Sequence, residues 1–543
     1  MDSTKEEESL TPQFRRQSSG VDLKAPTTIR RPEILRKVLQ DLENIPTALV
    51  RASAQCGKTA LVKLLTEYVA QNLPARLVLP VDCLDRRTNE SFEAFFLRMT
   101  NKVFMDFFNP TAVGPITYLL VDEAQKMYLR ANEDSIFWDR VKRLGSMESP
   151  TLRILFFSNY TLDINITGTR PIEFIHTYGA SDVLTFNATE CRLFMEQWRD
   201  VVWQRYEGLG ISEEVMEALT ALSGGHIGIL SNYMEAINDF FVNKAKATTI
   251  QSSEVLSFLP TKSCYDRLIS TRGITKLSVV SQDEIAHLRL LAPHTTFPYD
   301  ESYNSLINKG FLNYHWGTPD FPDSYVTFTS PIQRQYCLRE LNKPTRTAHG
   351  TLPATLADLC LGMLSKFSLS SLRNQRLGPG NLMKERSWQM EVHRCLLAYL
   401  GPNGWVTPDV SPARSTDAVD FYVRLKDHRV WLVEVLREGL LLDQPSSGFI
   451  SNGAYTRIPH DDYILLDFHA PKVPRQYLEH MWGVEYATDL SHCTVRKSRW
   501  DSVKVAFRGD VDLGHQSSTG LLADVVQKIK NRFQRCRPQS TWS

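Results

Sequence analysis

Gly57-Lys58-Thr59 is the stretch whose residue types and spacing most directly imply chemistry. It closes a loop of small residues, Ala52-Ser53-Ala54-Gln55-Cys56. The apolar run Ala48-Leu49-Val50 precedes the loop, and Ala60 to Leu65 reads as a helix after it. Strand, tight loop, Gly-Lys-Thr and helix are the parts of a phosphate-binding P-loop. The backbone N–H groups of such a loop and the start of its helix converge on one spot and favour an anion there. Lys58 is expected to reach the β- and γ-phosphates of ATP (or GTP), with the Thr59 hydroxyl on Mg²⁺. Ala52, Gln55, Cys56 and Gly57 would form the cradle. The pattern carries glycine at its first position, where this chain has Ala52, and a Cβ there is expected to crowd the turn.

A second signal is Ile116 to Glu123, ITYLLVDE. Its apolar residues read as a central parallel strand buried on both faces. Asp122 and Glu123 then emerge at the C-terminal edge, where open α/β sheets bind ligands. Asp122 is expected to hold Mg²⁺ through water, and Glu123 to orient or deprotonate the attacking water. Leu152 to Asn159, LRILFFSN, is another buried strand. Its terminal Asn159 could hydrogen-bond the γ-phosphate, as the first sensor of AAA-type ATPases does; turn chemistry at a strand exit is the alternative. Arg170 could reach the nucleotide of a neighbouring copy, which would make the working form a homo-oligomer. Gly224-Gly225-His226, between two helical runs, resembles the GGHP-like motif of STAND and archaeal-type ATPases, with Ile227 in place of proline. The resemblance implies that His226 approaches the phosphates.

A third set is acidic. Glu391 lies on the helical stretch KERSWQMEVHRCLLAYL. Asp420 and Glu434 lie on two alternating strands, DAVDFYVRL and VWLVEVLREG, joined by a turn at Lys426-Asp427-His428. Two or three converging carboxylates suit a hard cation that polarises a phosphodiester and supplies hydroxide. Helix–strand–strand with these acids is the skeleton of the PD-(D/E)xK nuclease core. The lysine expected two residues after the second acid is replaced by Leu436, leaving Arg437 or Lys426 to supply positive charge, and spacing alone favours a half-buried hairpin carrying surface acids.

The elements that must position these groups suggest an α/β chain in several pieces. Its 543 residues suit roughly three or four domains. A formal net charge of +1 means that nucleic-acid affinity must come from a local surface. Nine cysteines without paired spacing read as reduced thiols. No apolar run reaches the ~18 residues of a membrane span. The expected organisation is a polar tail (1–29), a P-loop NTPase core (30–188), a helical lid (189–270), a winged helix (271–344) and a linker (345–380). A nuclease-like α/β domain (381–510) and a C-terminal tail (511–543) follow. SFEAFFLRMTNKVFMDFF reads as one helix with a core aromatic stripe. In the winged helix, QDEIAHLRLLA and YDESYNSLINKG read as helices, and FLNYHW and SYVTFTS as a strand pair. Few basic residues on the second helix favour protein contacts over base reading. The basic run KIKNRFQRCRP reads as a solvated amphipathic helix, with phosphate binding or nuclear import as the alternatives.

The order of GKT, LLVDEAQ, SGGH, winged helix, AVDFYV…WLVEVLREG and YILLDF resembles the Crinkler-type effectors of oomycetes, chytrids and mycorrhizal fungi, over roughly residues 30–480. Kinetoplastid retrotransposon hot-spot proteins look similar. The E-x-L-R-E-G block is shared, so the missing lysine belongs to the family pattern. The resemblance implies an NTPase joined to a restriction-endonuclease-like domain, delivered into host cells and often to nuclei, acting on DNA or host proteins. It gives Lys58, Thr59, Asp122 and Glu123 the NTPase roles. Glu391, Asp420 and Glu434 take the metal-site roles, and Arg437 faces phosphate. A nucleotide-switched binding protein without catalysis, and an intracellular ATPase with no effector role, are the alternatives.

Overall fold

Apolar strands build the first layer of the fold. β1 (Thr47–Arg51), β2 (Leu77–Asp82), β3 (Thr117–Asp122), β4 (Leu152–Ser158) and β5 (His176–Tyr178) form a five-stranded parallel sheet in the order β2-β3-β4-β1-β5. β3 and β4 are buried along their whole length, as strands covered on both faces must be. α1 (Pro32–Asn44) and α2 (Lys58–Asn72) bury Leu39, Leu42, Leu61 and Leu65 with Ala48, Val50 and Leu155. α3 (Phe92–Thr100) and α5 (Ser135–Leu144), with the short α4 (Gln125–Tyr128) between them, cover the other face. There Phe92, Phe96, Phe137 and Trp138 meet Leu49, Leu119 and Phe156. Ala48 and Val50 face one layer and Leu49 the other, the two-residue period of a strand. The aromatic stripe is core as expected. Its single helix is two pieces, because Asn101 turns left-handed (φ 53°) and ends α3 before a 3₁₀ turn at Phe104–Phe108.

The structure is a computed structural model describing residues 21–108, 114–128, 134–147, 150–159, 176–203, 211–245, 250–292, 296–315, 324–342, 350–368, 385–410, 419–437, 455, 458–470, 480–487, 490–496 and 502–507. Arg170 and the basic run 528–538 lie outside the described residues. No helix among the described residues is long and apolar enough to cross a membrane. Eight cysteines are described; all are buried, with free thiols.

Helices α6 (Ala180–Val183), α7 (Ala188–Trp198), α8 (Glu213–Ser223), α9 (Ile227–Ala245), α10 (Ser252–Phe258) and α11 (Lys262–Ile269) form the expected helical module. α12 (Gln282–Leu291), α13 (Asn304–Asn308) and α14 (Pro331–Leu341) surround a small antiparallel sheet. That sheet comprises β6 (Thr296–Pro298), β7 (Leu312–His315) and β8 (Tyr325–Phe328) in the order β6-β8-β7. The second expected helix shrinks to the five residues of α13 behind a 3₁₀ turn, and Gly310 (φ 79°) stops it as anticipated. Helical module and winged helix share one core.

A third sheet, of seven strands, forms a third domain at the end of the described chain. β9 (Gly404–Val410), β10 (Val419–Leu425), β11 (Val430–Arg437), β12 (Asp462–His469), β13 (Met481–Tyr486), β14 (His492–Arg496) and β15 (Ser502–Ala506) lie side by side in chain order. β9-β10-β11 is an antiparallel meander, β11-β12-β13 is parallel, and β14 and β15 are antiparallel again. α16 (Glu385–Leu400) packs on the face presented by Phe421, Val423, Val433 and Val435. The segment expected as a linker contains α15 (Leu356–Leu364), whose Leu359 and Met363 enter this same core. That helix therefore belongs to the third domain. Trp388 of α16 is fully buried and stacks on Phe468, ring centres 4.5 Å apart. Trp388→Ala should cost about 3–5 kcal/mol through cavity formation. Hydrogen exchange should accelerate in β10–β12 and stay unchanged in β1–β4; parallel acceleration in both sheets would contradict separate cores.

Candidate nucleotide site and buried carboxylate pair

The loop between β1 and α2 turns through two left-handed residues, Gln55 (φ 61°) and Gly57 (φ 101°). The crowding expected at Ala52 does not occur. Its backbone is outside the left-handed region, its side chain is buried in the core beneath α1 and α2, and its N–H donates to Ser158 O at 3.2 Å. Glycine is required where φ is positive, and Ala52 simply extends the strand. Lys58 begins α2 and is buried; its Nζ donates to Ala52 O at 3.0 Å and Ser53 O at 2.7 Å. The ammonium thus lies within the curve of the loop. Cys56 Sγ donates to Ser53 O at 2.8 Å, and burial pushes its thiol pKa up.

Thr59 Oγ1 donates to Asp122 Oδ2 at 2.6 Å, which ties the start of α2 to the end of β3. Burial raises the pKa of Asp122, against the hydrogen bonds from Thr59 and the Glu123 N–H. A divalent cation would relieve that cost, so hydroxyl and carboxylate fit a Mg²⁺–nucleotide. Glu123 follows in a left-handed turn (φ 52°). Its carboxylate accepts from Gln125 Nε2, and Gln125 Oε1 accepts from the Asn159 N–H at 3.2 Å. Among the described residues, the buried Asn159 Oδ1 has no hydrogen-bond partner. Gln125 therefore bridges the two expected hydrolytic groups.

His226 sits between α8 and α9, fully buried against the loop. Its Nδ1 accepts from the Ile229 N–H at 3.3 Å, which leaves the proton on Nε2 to donate to Ser53 Oγ at 3.2 Å. Burial, with Lys58 as a lesser cause, lowers its pKa to about 4, so the imidazole is neutral at physiological pH. The turn must come close. A Cβ at Gly228 would stand 2.3 Å from Gln55 O, and one at Gly225 would stand 2.2 Å from Phe186 O.

In the third domain, the register that pairs Phe421 with Val433 sets Asp420 beside Glu434, both buried. The Asp420 N–H donates to Glu434 Oε2 at 2.9 Å, and the Val435 N–H to Asp420 Oδ2 at 2.7 Å. Gln389 Nε2 of α16 donates to Asp420 Oδ1 at 2.7 Å. Burial pushes Asp420 up to about 8; burial and the neighbouring Asp420 charge raise Glu434 well above the carboxylate range. Mg²⁺ is bound through one or two protein carboxylates plus substrate phosphates, so the pair fits such an ion.

Glu391 does not join them. It accepts from the Ser368 N–H at 2.8 Å and Arg394 Nε at 2.9 Å, in the core. Two residues along a helix is a rotation of about 200°, so Gln389 and Glu391 cannot serve the same spot. Gln389 takes the place expected for the acid. Among the described residues no group of three or more His, Cys, Asp or Glu is placed to hold a metal. Leu436 is buried on the Asp420 side with Tyr422 and Leu432. Arg437 ends β11 with its Nε buried and without a hydrogen-bond partner among the described residues, and its charge acts on Glu385. Lys426 lies in the exposed turn.

No family model and no curated protein matches this chain. Among solved structures, the Walker-type ATPase PABY2304 of Pyrococcus abyssi is 16% identical, with a TM-score of 0.35 over 58% of this chain and 99% of that one. The Aeropyrum pernix ORC2 protein is 13% identical, with a TM-score of 0.34 over 60% and 95%. Domain III of the Thermotoga maritima replication initiation protein DnaA is 12% identical, with a TM-score of 0.29 over 42% and 90%. The P-loop ATPase fold rests on this chain's own strand order and on the loop-to-helix geometry of residues 52–59.

Gln125 and Gln389 escaped the sequence reading because amides carry no charge signature. The signals were positional: Gln125 lies two residues after the strand-end Glu123, and Gln389 four after Glu385 on the same helix face. The paired acids also set a pH dependence. An unfolded Asp titrates near 3.9, while the folded pair keeps a proton to about 8. The unfolded state then binds fewer protons across that window, so the pair's stability contribution falls as pH rises from about 4 to 8. Glu434→Gln should gain melting temperature over wild type from pH 5 to pH 8; a constant difference would contradict the shared proton.

Proposed function

We propose that this chain is a Mg²⁺-dependent ATPase whose nucleotide site governs a DNA-acting C-terminal domain. The observation that carries the first half is the 2.6 Å contact between Thr59 and Asp122, beside a lysine enclosed by its own loop. Lys58 would exchange the Ala52 and Ser53 carbonyls for phosphate oxygens. Thr59 and Asp122 would hold Mg²⁺, which neutralises charge on the transferred phosphoryl group. Glu123, released from Gln125, would orient the attacking water, and Asn159 Oδ1 offers an acceptor beside it. GTP in place of ATP is the same chemistry with a different base.

In the second half, Asp420 and Glu434 would hold a divalent ion against a DNA phosphodiester, with Arg437 facing phosphate. What supports this is a buried acid pair carrying raised pKa values at the meander of a mixed sheet. A second reading is favoured by Leu436, an apolar side chain where a catalytic lysine is expected: the domain then grips DNA without cutting it. The ordered motifs further support an effector role in a host nucleus, which imaging of tagged protein in host tissue tests.

Lys58→Ala should abolish ATP binding by calorimetry; unchanged affinity sinks the nucleotide reading. Glu123→Gln should retain binding and lose hydrolysis by about 10²–10⁴-fold. With Mg²⁺, wild type should nick supercoiled plasmid and Glu434→Ala should not; equal nicking overturns the catalytic reading and leaves the gripping one.

A further inference from the structure

α14 touches the structure that supports both sites. Its first residue, Pro331, lies against Gly224, where an added Cβ would stand 2.8 Å from Pro331 Cδ. Gly224 (φ 58°) opens the turn whose His226 and Gly228 hold the P-loop. Further along α14, three side chains grip β9. Arg334 Nη2 donates to Asp409 Oδ2 at 2.9 Å, Gln335 Nε2 to Pro408 O at 3.4 Å, and the Arg339 guanidinium stands 3.3 Å over the Trp405 ring.

Asp409 is left-handed (φ 53°), a conformation that costs a non-glycine residue energy and persists where its surroundings hold it. What holds it is Arg334 on one side and Arg386 of α16 on the other, with Arg386 Nη1 at 3.1 Å and Nη2 at 3.3 Å from its carboxylate. Arg386 Nη1 also donates to Gln389 Oε1 at 2.8 Å, and Gln389 Nε2 is the donor to Asp420 Oδ1. One contiguous series of contacts therefore runs from Ser53 to Glu434.

We propose that Asp409 is the joint through which the nucleotide state of the P-loop sets Gln389 against Asp420, and with it the readiness of the Asp420–Glu434 pair for a cation. This deepens the function proposed above and rests on its reading of both sites. Phosphate oxygens compete for Lys58, which now bonds Ser53 O, and Ser53 is the residue that His226 holds. The turn at 223–228 cannot stay still while the loop shifts, because Gly228 already meets the Gln55 backbone without a Cβ to spare. Its movement is passed to Pro331 and along α14. A cavity of about 370 Å³ beside this helix, lined by Leu256, Tyr265, Ile332, Gln335, Thr407 and Val410, gives α14 room to tilt against β9.

The test is hydrogen exchange on the full chain with and without Mg²⁺ and a non-hydrolysable ATP analogue. In wild type, the analogue should change exchange in residues 53–59 and, by about fivefold, in 404–410 and 385–389. In Arg334→Gln the loop response should persist and the distant response vanish. Asp409→Asn keeps the shape, removes the charge, and should behave alike if Arg334→Gln fails to fold. A wild-type loop response without any change in β9 and α16 overturns the joint while sparing the nucleotide reading. So does a distant response of full size in a folded variant. No loop response in wild type overturns the nucleotide reading, and the joint falls with it.

Discussion

The contact on which the rest of this structure depends is the approach of the 223–228 turn to the P-loop backbone. Gly228 meets Gln55 O where a Cβ would stand 2.3 Å away, and Ile227 lies against Gly57. Backbones that close leave no room for a side chain or for water, so the polar groups between them must satisfy one another. Ser53 and His226 do so, and burial keeps that imidazole neutral. The loop is thus lined by one cation, Lys58, and one neutral donor. A charged His226 would add its repulsion to Lys58 in a buried space; the Ile229 N–H forbids this by occupying Nδ1. The helical module is consequently the second wall of the phosphate site.

The readable parts of the sequence were those where one physical requirement governs a whole segment. A parallel strand covered on both faces must be apolar throughout, so β1, β3 and β4 stood out. The acids at the end of β3 followed from the strand's direction. β5 is three residues long and too brief to show any period. α14 failed for the opposite reason. It buries Gln333, Arg334 and Gln335 along with Ile332 and Tyr336 because three modules surround it, so no apolar stripe marks it. At α16 a carboxylate on the helix is visible as a charge, while the amide two residues earlier, which the helix rotation turns to Asp420, is not. At Ala52 the motif's glycine was taken as a conformational need, while the backbone needs positive φ at Gln55 and Gly57.

Both acidic positions are buried, yet they are stabilised differently. Asp122 has one hydroxyl donor and one backbone N–H, and Lys58 lies close enough to lower its pKa. Asp420 has a backbone N–H and an amide, lies beside Glu434, and has burial, Asp409 and Glu385 raising its pKa against Arg386. In the first, donors and a nearby cation oppose the cost of burial, and under the function proposed the carboxylate would meet a cation already balanced by phosphate. The second holds a proton to about pH 8, and under the function proposed a cation would displace it, so the state of its amide donor matters more. Under the proposal, control of the third domain falls to Gln389 and to whatever orients Gln389.

Arg386 orients it, and Arg386 is shared with Asp409. An isolated buried ion pair is a poor source of stability, because desolvation offsets the attraction, while losing one partner strands a charge. A carboxylate with two partners escapes the stranding. Asp409 holds two guanidinium groups, so it can loosen its grip on Arg334 and remain paired with Arg386, or the reverse. Neither state leaves the carboxylate alone. An apolar seam at this place would have a single best packing, and sliding it would open a void with no compensating contact. Under the proposed joint, the shared carboxylate supplies two paired arrangements, one with each guanidinium. For a chain whose nucleotide site and acid pair lie in different domains, that is the property a joint must have.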